Sequence, residues 1–188
     1  MTRLIFLGPP GAGKGTQAQI LCKSCDVPHI STGDILRAAD NAKTELGQKA
    51  EGFMRAGELV PDNLILGLIR ERLSQPDTAN GWLLDGFPRN VEQAKFLNDL
   101  LEEIEQTCEH VINLEVPDEV LVARLLDRGR NDDKEDVIRN RLVVYREQTE
   151  PLIALYTGTG QLVSVDGDQD MTQVSTALQK IVKDGKSI

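Results

Sequence analysis

Residues 3–16 read RLIFLGPPGAGKGT, and the rest of the chain is interpreted outward from them. Residues 4–7 are an apolar run with the length of a buried strand. Residues 8–16 then place four glycines and two prolines in nine positions and end in Lys14-Gly15-Thr16. Residues 17–23 read as the start of a helix. Strand, glycine-rich turn and helix together form the setting that a G-x-x-x-x-G-K phosphate loop requires. Glycines let the backbone take positive φ and approach a ligand closely. Successive N–H groups can then line a nest for phosphate oxygens, and the helix N-terminus adds its positive end. Lys14 supplies a mobile point charge. The ordinary pattern has Ser or Thr directly after the lysine; here Gly15 intervenes and Thr16 carries the hydroxyl. A strand-to-helix turn with a surface lysine has a similar composition, but both flanking elements favour the phosphate loop.

Beyond the loop, strands and helices alternate. Short strands are expected at 27–30, 82–84, 111–116 and 161–165, the second of these ending at Asp85. Ser31 or Thr32 is a candidate helix cap with Asp34 in the first turn. Further helices are expected at 44–55, from Pro61-Asp62 onward, at 91–104, from Pro117-Asp118 onward and at 171–182. A long helix is expected over 134–156, with Ile138, Leu142 and Tyr145 on one stripe and a kink or boundary at Pro151. Residues 129–133 form a polar break, and the polar tail 183–188 is expected to fray. The alternation implies an α/β chain with a parallel sheet. Residues 31–60 hold helices without a clear strand, so they read as a helical insertion outside the sheet.

The chain has 188 residues, 40% hydrophobic and 27% charged, which suits one main domain with a sizeable core. No apolar run reaches the roughly 18 residues of a membrane span. The N-terminus enters a strand at once, with no basic stretch before an apolar core, and this reads as a cytoplasmic chain. A net charge of −9 argues against non-specific nucleic-acid binding, which needs a basic footprint. Any cations that handle phosphate must therefore be focused in one cleft. Cys22, Cys25 and Cys108 are too few for a disulfide framework, and the C-x-x-C has no second ligand pair, so all three read as structural. His29 and His110 have no partner at metal-ligand spacing.

A phosphate loop alone means only nucleotide binding. Asp85 closes an apolar strand, where a carboxylate commonly acts on the Mg²⁺ shell. No Asn-Lys-x-Asp guanine-reading motif is present. Twelve arginines stand against nine lysines, and arginine suits bidentate phosphate contacts. Arg89 follows a proline just after Asp85, Arg124 and Arg128 share a helix face, Arg130 lies in the polar break, and Arg141 borders an apolar stripe. Each could be a solvated charge; together they suit a site that neutralises two polyphosphate chains.

GPPGAGKGT at 8–16, ISTGDILR at 30–37, GELVPD at 57–62, DGFPRN at 85–90, GRNDD at 129–133 and RNRLVVY at 139–145 occur in this order. With these motifs the sequence resembles the adenylate kinases, within the nucleoside monophosphate kinase family, over nearly its whole length. The glycine between Lys14 and Thr16 is that family's own form of the loop. The resemblance implies a P-loop NTPase fold with a five-stranded parallel sheet flanked by helices. The core would span 1–30, 61–126 and 138–188, with an AMP-binding insertion at 31–60 and a short lid at 127–137. It implies Mg²⁺-dependent ATP + AMP ⇌ 2 ADP. Gly11, Ala12, Gly13, Lys14, Gly15 and Thr16 would hold the ATP phosphates, with Arg128 as a clamp and Gly167 near the adenine. Thr32, Arg37, the backbone of Glu58, Leu59 and Val60, then Gly86, Phe87, Pro88, Arg89 and Gln93 would bind AMP. Arg130 and Arg141 would reach AMP and the transferred group. Lys14, Arg89, Arg128, Arg130, Arg141 and Asp85 would carry catalysis. Mg²⁺ would be held through ATP phosphates and water, with Asp85 and Thr16 nearby and no direct protein ligand. No zinc is expected, because the lid is short and lacks cysteine. A monomer with no membrane or nucleic-acid partner is expected. Two alternatives remain: a UMP/CMP kinase of the same family, against which Thr32 and Gln93 speak, and a nucleotide-dependent binding module or switch.

Overall fold

Leu4, Ile5, Phe6 and Leu7 are at most 2% exposed and form the centre of a five-stranded sheet. The computed structural model describes residues 1–130 and 133–184. Expectations that fall on Asn131 and Asp132 of the polar break and on residues 185–188 of the tail lie outside the described residues. The strands are β1 (Thr2–Leu7), β2 (His29–Ser31), β3 (Gly81–Asp85), β4 (His110–Glu115) and β5 (Leu162–Asp166). They run in the order β2-β3-β1-β4-β5, and every neighbouring pair is parallel. The second strand starts later than expected. Pro28 has no N–H to give a ladder, so pairing begins at His29.

Alternation along the central strands feeds two apolar layers. Ile5, Leu7, Leu84 and Val111 face one side, with Ile69, Leu97 and Leu152. Leu4, Phe6, Leu83 and Ile112 face the other, with Leu21, Leu121, Leu125 and Ile138. Those partners come from the helices α1 (Lys14–Cys25), α4 (Asp62–Leu73), α5 (Val91–Glu103), α6 (Asp118–Arg128), α7 (Glu135–Val144) and α8 (Pro151–Gly158). Helix α9 (Met171–Asp184) closes the described chain. Cys22 is buried, and burial pushes its thiol up to about 12. The three cysteines are unpaired.

Between β2 and α4 lie α2 (Thr32–Asn41) and α3 (Glu45–Ala56), without a strand. Ser31 caps α2, its Oγ accepting from the Asp34 N–H at 3.3 Å. Thr32 does not take that role, because its hydroxyl donates to the Gly86 carbonyl at 2.8 Å. Asn90 caps α5 through the Gln93 N–H at 2.8 Å.

The long helix expected over 134–156 is divided. Helix α7 passes into a π-turn at Tyr145–Thr149 before α8. There the Glu150 N–H donates to the Tyr145 carbonyl at 2.9 Å, one residue further back than in an α-helix. Pro151 is the cause: its ring clashes with the carbonyl four residues earlier and it has no N–H to donate. The interruption therefore lies upstream of the proline itself.

Candidate active site

In an open parallel sheet, ligands bind beyond the carboxyl ends of strands where neighbouring connections diverge. Strand β1 lies between β3 and β4, and its end runs into residues 8–16. Gly8 has φ +133°, and a Cβ there would stand 2.7 Å from the Leu114 carbonyl oxygen, so only glycine fits this turn. Gly13, at φ +91°, caps α1. Every residue from Gly11 to Thr16 lines a cleft of about 390 Å³.

Lys14 folds back over the loop, and its Nζ donates to the carbonyls of Gly8 at 2.6 Å and Pro9 at 2.9 Å. Burial pulls its ammonium down to about 8. Asp85 opposes that, while Arg89, Arg141 and Arg128 add to it. Asp85, 8% exposed, ends β3 beside the loop: a Cβ on Gly15 would lie 3.7 Å from its Oδ2. The same oxygen is 3.3 Å from His29 Nε2. His29 had signalled nothing in the sequence, because its partner arrives from a neighbouring strand.

Arg37, Arg89, Arg124, Arg128, Arg130 and Arg141 join Lys14 in lining the cleft, and among the described residues the only carboxylates in its lining are Asp34 and Asp85. An acidic protein thus concentrates cations at one place. Burial first, and then Arg141, lowers the Arg89 guanidinium from its ordinary value. Arg37 donates to Asp34 Oδ1 at 2.5 Å. Arg124, whose role the sequence left least defined, donates to the Gly167 carbonyl at 3.0 Å and to Asp168 at 3.2 Å.

Asp133 is the largest feature that the sequence did not reveal. Its side chain is fully buried. Arg128 grips both carboxylate oxygens, at 2.8 and 2.6 Å, the Arg130 N–H donates at 3.0 Å, and Arg141 reaches it at 3.3 Å. Burial alone would raise this carboxyl. The hydrogen bonds from Arg128 and from the Arg130 backbone, with the charges of Arg128 and Arg141, bring it below its ordinary value instead.

Leu59, Gly86 and Pro88 also line the cleft, whereas Thr32, Glu58, Val60, Phe87, Gln93 and Gly167 do not. Thr32 and Gln93 are each 2% exposed, and both have their polar groups committed to protein. Gln93 accepts from the Arg89 N–H at 2.7 Å and donates to Asp62 at 2.7 Å. Gly167 follows β5 and gives its N–H to the Glu115 carbonyl at 2.8 Å. Among the described residues, no three His, Cys, Asp or Glu side chains gather into a metal-binding group.

Comparison with known proteins identifies the family. The family model described as adenylate kinase matches residues 6–161. The chain is 60% identical over 180 residues to adenylate kinase 1 of Synechocystis sp., covering 96% of each chain. It is 56% identical over 179 residues to adenylate kinase 1 of Nostoc sp., covering 95% of this chain and 97% of that one. It is 51% identical over 186 residues to an adenylate kinase of Leptospira biflexa, covering 97% of this chain and all of the relative. With the phosphate loop, the parallel sheet and the arginine-lined cleft in place, the chain belongs to the adenylate kinase family.

Proposed function

We propose that this chain is a nucleoside monophosphate kinase that moves a phosphoryl group reversibly from ATP to AMP, giving two ADP. One observation carries the reading: Lys14 and six arginines line a single cleft in a protein of net charge −9. One phosphate tail needs a lysine and a loop. Two tails meeting end to end need cations on both sides and between them. Residues 11–16 and Arg128 would hold the ATP tail, and Arg37 and Arg89 the AMP phosphate. Arg130 and Arg141 would face the group in flight. Gly167 beside the ATP base, and Thr32, Glu58, Leu59, Val60, Gly86, Phe87, Pro88 and Gln93 around AMP, complete the assignment.

In-line phosphoryl transfer asks the protein mainly for positioning and charge stabilisation, so no general base is assigned. Lys14 would exchange the Gly8 and Pro9 carbonyls for phosphate oxygens. Asp85 and Thr16 offer hard oxygen donors at the cleft, the kind Mg²⁺ prefers. These two side chains would orient the water shell of an Mg²⁺ ion held with ATP, whose charge would offset that of the nucleotide phosphates. The proposed division of labour is a core of 1–30, 61–126 and 138–188, an AMP-binding insertion at 31–60 and a lid at 127–137. A cytoplasmic monomer without nucleic-acid or membrane partners completes the reading. The acidic balance supports the exclusion of nucleic acid.

ADP formation from ATP, measured with and without AMP, tests the proposal. Formation that depends on AMP is expected; equal ATP loss in its absence would mean a switch or slow hydrolase. Because Thr32 and Gln93 turn their polar groups into the protein, a panel of AMP, UMP and CMP as acceptors decides the base, with AMP expected to be preferred.

A further inference from the structure

Arg89 is held at its backbone as well as at its side chain. Its N–H donates to Gln93 Oε1 at 2.7 Å, and its carbonyl accepts from the Thr149 hydroxyl at 2.7 Å. Its Nε donates to the Gly86 carbonyl at 2.8 Å. Gln93 is anchored in turn by Asp62 and by the Asn90 cap. Thr149 is 8% exposed and stands 60 residues further along the chain, at the end of the π-turn. An unbroken α-helix through this region would present Thr149 at a different angle. The widened turn aims it at Arg89. Such turns inside α-helices frequently accompany functional sites.

We propose that Thr149 is a positioning residue for Arg89: the hydroxyl delivered by the π-turn fixes the Arg89 peptide and, through it, the guanidinium that meets the acceptor phosphate. This rests on the reading that Arg89 binds the acceptor monophosphate. Threonine suits the task because its β-branched side chain is stiff at χ1. A residue clamped at both its N–H and its carbonyl, on the two peptides that flank its Cα, leaves the guanidinium fewer arrangements to lose on binding. The contact also joins the loop after β3 to the helix that carries Arg141, eight residues before Thr149. A shift of that helix moves both arginines together.

Thr149→Val keeps the shape and removes the donor, Thr149→Ser keeps the donor, and Arg89→Ala is measured in parallel. In Thr149→Val, kcat/KM for AMP is expected to fall about tenfold, with KM for ATP and all parameters of Thr149→Ser within about twofold of the parent, the scale of one hydrogen bond to a buried carbonyl. Unchanged AMP kinetics in Thr149→Val, equal losses for AMP and ATP, or failure of Thr149→Ser to retain activity would each overturn the proposal. Loss of AMP use in Arg89→Ala with none in Thr149→Val overturns the positioning role alone. No loss in Arg89→Ala removes the reading of Arg89 on which it stands. If circular dichroism shows that Thr149→Val does not fold, Thr149→Ala against Thr149→Ser carries the same outcomes.

Discussion

Lys14 loses proton affinity because it is buried among other cations before any phosphate arrives, its pKa falling to about 8 from 10.5. A lysine that binds its proton less tightly in the folded chain makes stability rise with pH between those two values. Phosphate oxygens reverse the effect by favouring the ammonium. Binding of ATP at about pH 8.5 should therefore take up protons, and affinity should fall as pH climbs through about 8. Calorimetry in buffers of different ionisation enthalpy reads the uptake; none at that pH, or the same uptake in Lys14→Met, would refute the account. Asp133 presents the opposite case, a carboxylate whose arginine hydrogen bonds outweigh its burial. Its contribution to stability is complete above the ordinary value of 3.8 and is lost as pH falls through the lower folded value. Asp133→Asn should lower stability at neutral pH by about 1–3 kcal/mol in urea unfolding, because it removes the buried charge that Arg128 grips through two hydrogen bonds and that Arg141 reaches. Activity should fall with it; an unchanged melt and turnover would mean that the arginines hold themselves. The sequence showed Asp133 only as part of a polar break. Its four contacts come from residues three, five and eight positions away that meet only after α6 and α7 have packed. The cations of the cleft were legible because a phosphate loop and short arginine-rich breaks are local patterns. Their counter-charges were not, since such partners are chosen by tertiary packing.

Helices and strands were mostly readable from period and punctuation, and the exceptions have physical causes. Pro28 trims β2, and Pro151 divides the long helix upstream of itself, where the carbonyls it displaces are found. The sequence flags the proline but not the direction in which the helix yields. Glycines divide in the same way. Gly67 lies exposed within α4, and a Cβ added there meets nothing within 4 Å. Gly67→Ala should raise stability by about 0.5–1 kcal/mol through helix propensity. Gly57 closes α3 at φ +74°, and a Cβ there would stand 2.9 Å from Arg141 Cγ and 3.0 Å from the Val137 carbonyl. Next to it, Asn140 Nδ2 donates to the Ala56 carbonyl at 2.7 Å, so the end of α3 sits directly on α7. Gly57→Ala should therefore destabilise by about 1–3 kcal/mol and weaken AMP use by displacing Arg141. Parallel melting curves and AMP titrations separate the two glycines; equal shifts in both variants would show that backbone freedom, not the α3–α7 contact, governs Gly57.

Across the whole molecule, thirty acidic and twenty-one basic side chains leave a net charge of −9, yet among the described residues the cleft gathers seven cations against two carboxylates. A nucleotide polyanion approaching from bulk meets two opposing fields, and distance decides between them. The repulsion of acidic side chains that lie further from the cleft than the Debye length, about 10 Å at 0.1 M salt, is largely screened. A cation about 4 Å from a phosphate gains about 1 kcal/mol even at the dielectric of water, and more between low-dielectric walls that focus the field. The cleft should therefore win, with an attraction that is itself sensitive to salt. The dissociation constant for ATP should rise severalfold between about 0.01 and 0.3 M salt, whereas a DNA duplex should not bind at any concentration in that range, because a net charge of −9 opposes its phosphate backbone. Equilibrium titration of both ligands along one salt series checks this. An ATP affinity independent of salt would mean that the loop backbone, not the gathered side chains, holds the phosphates. Binding of the duplex would mean that the acidic surface does not exclude nucleic acid.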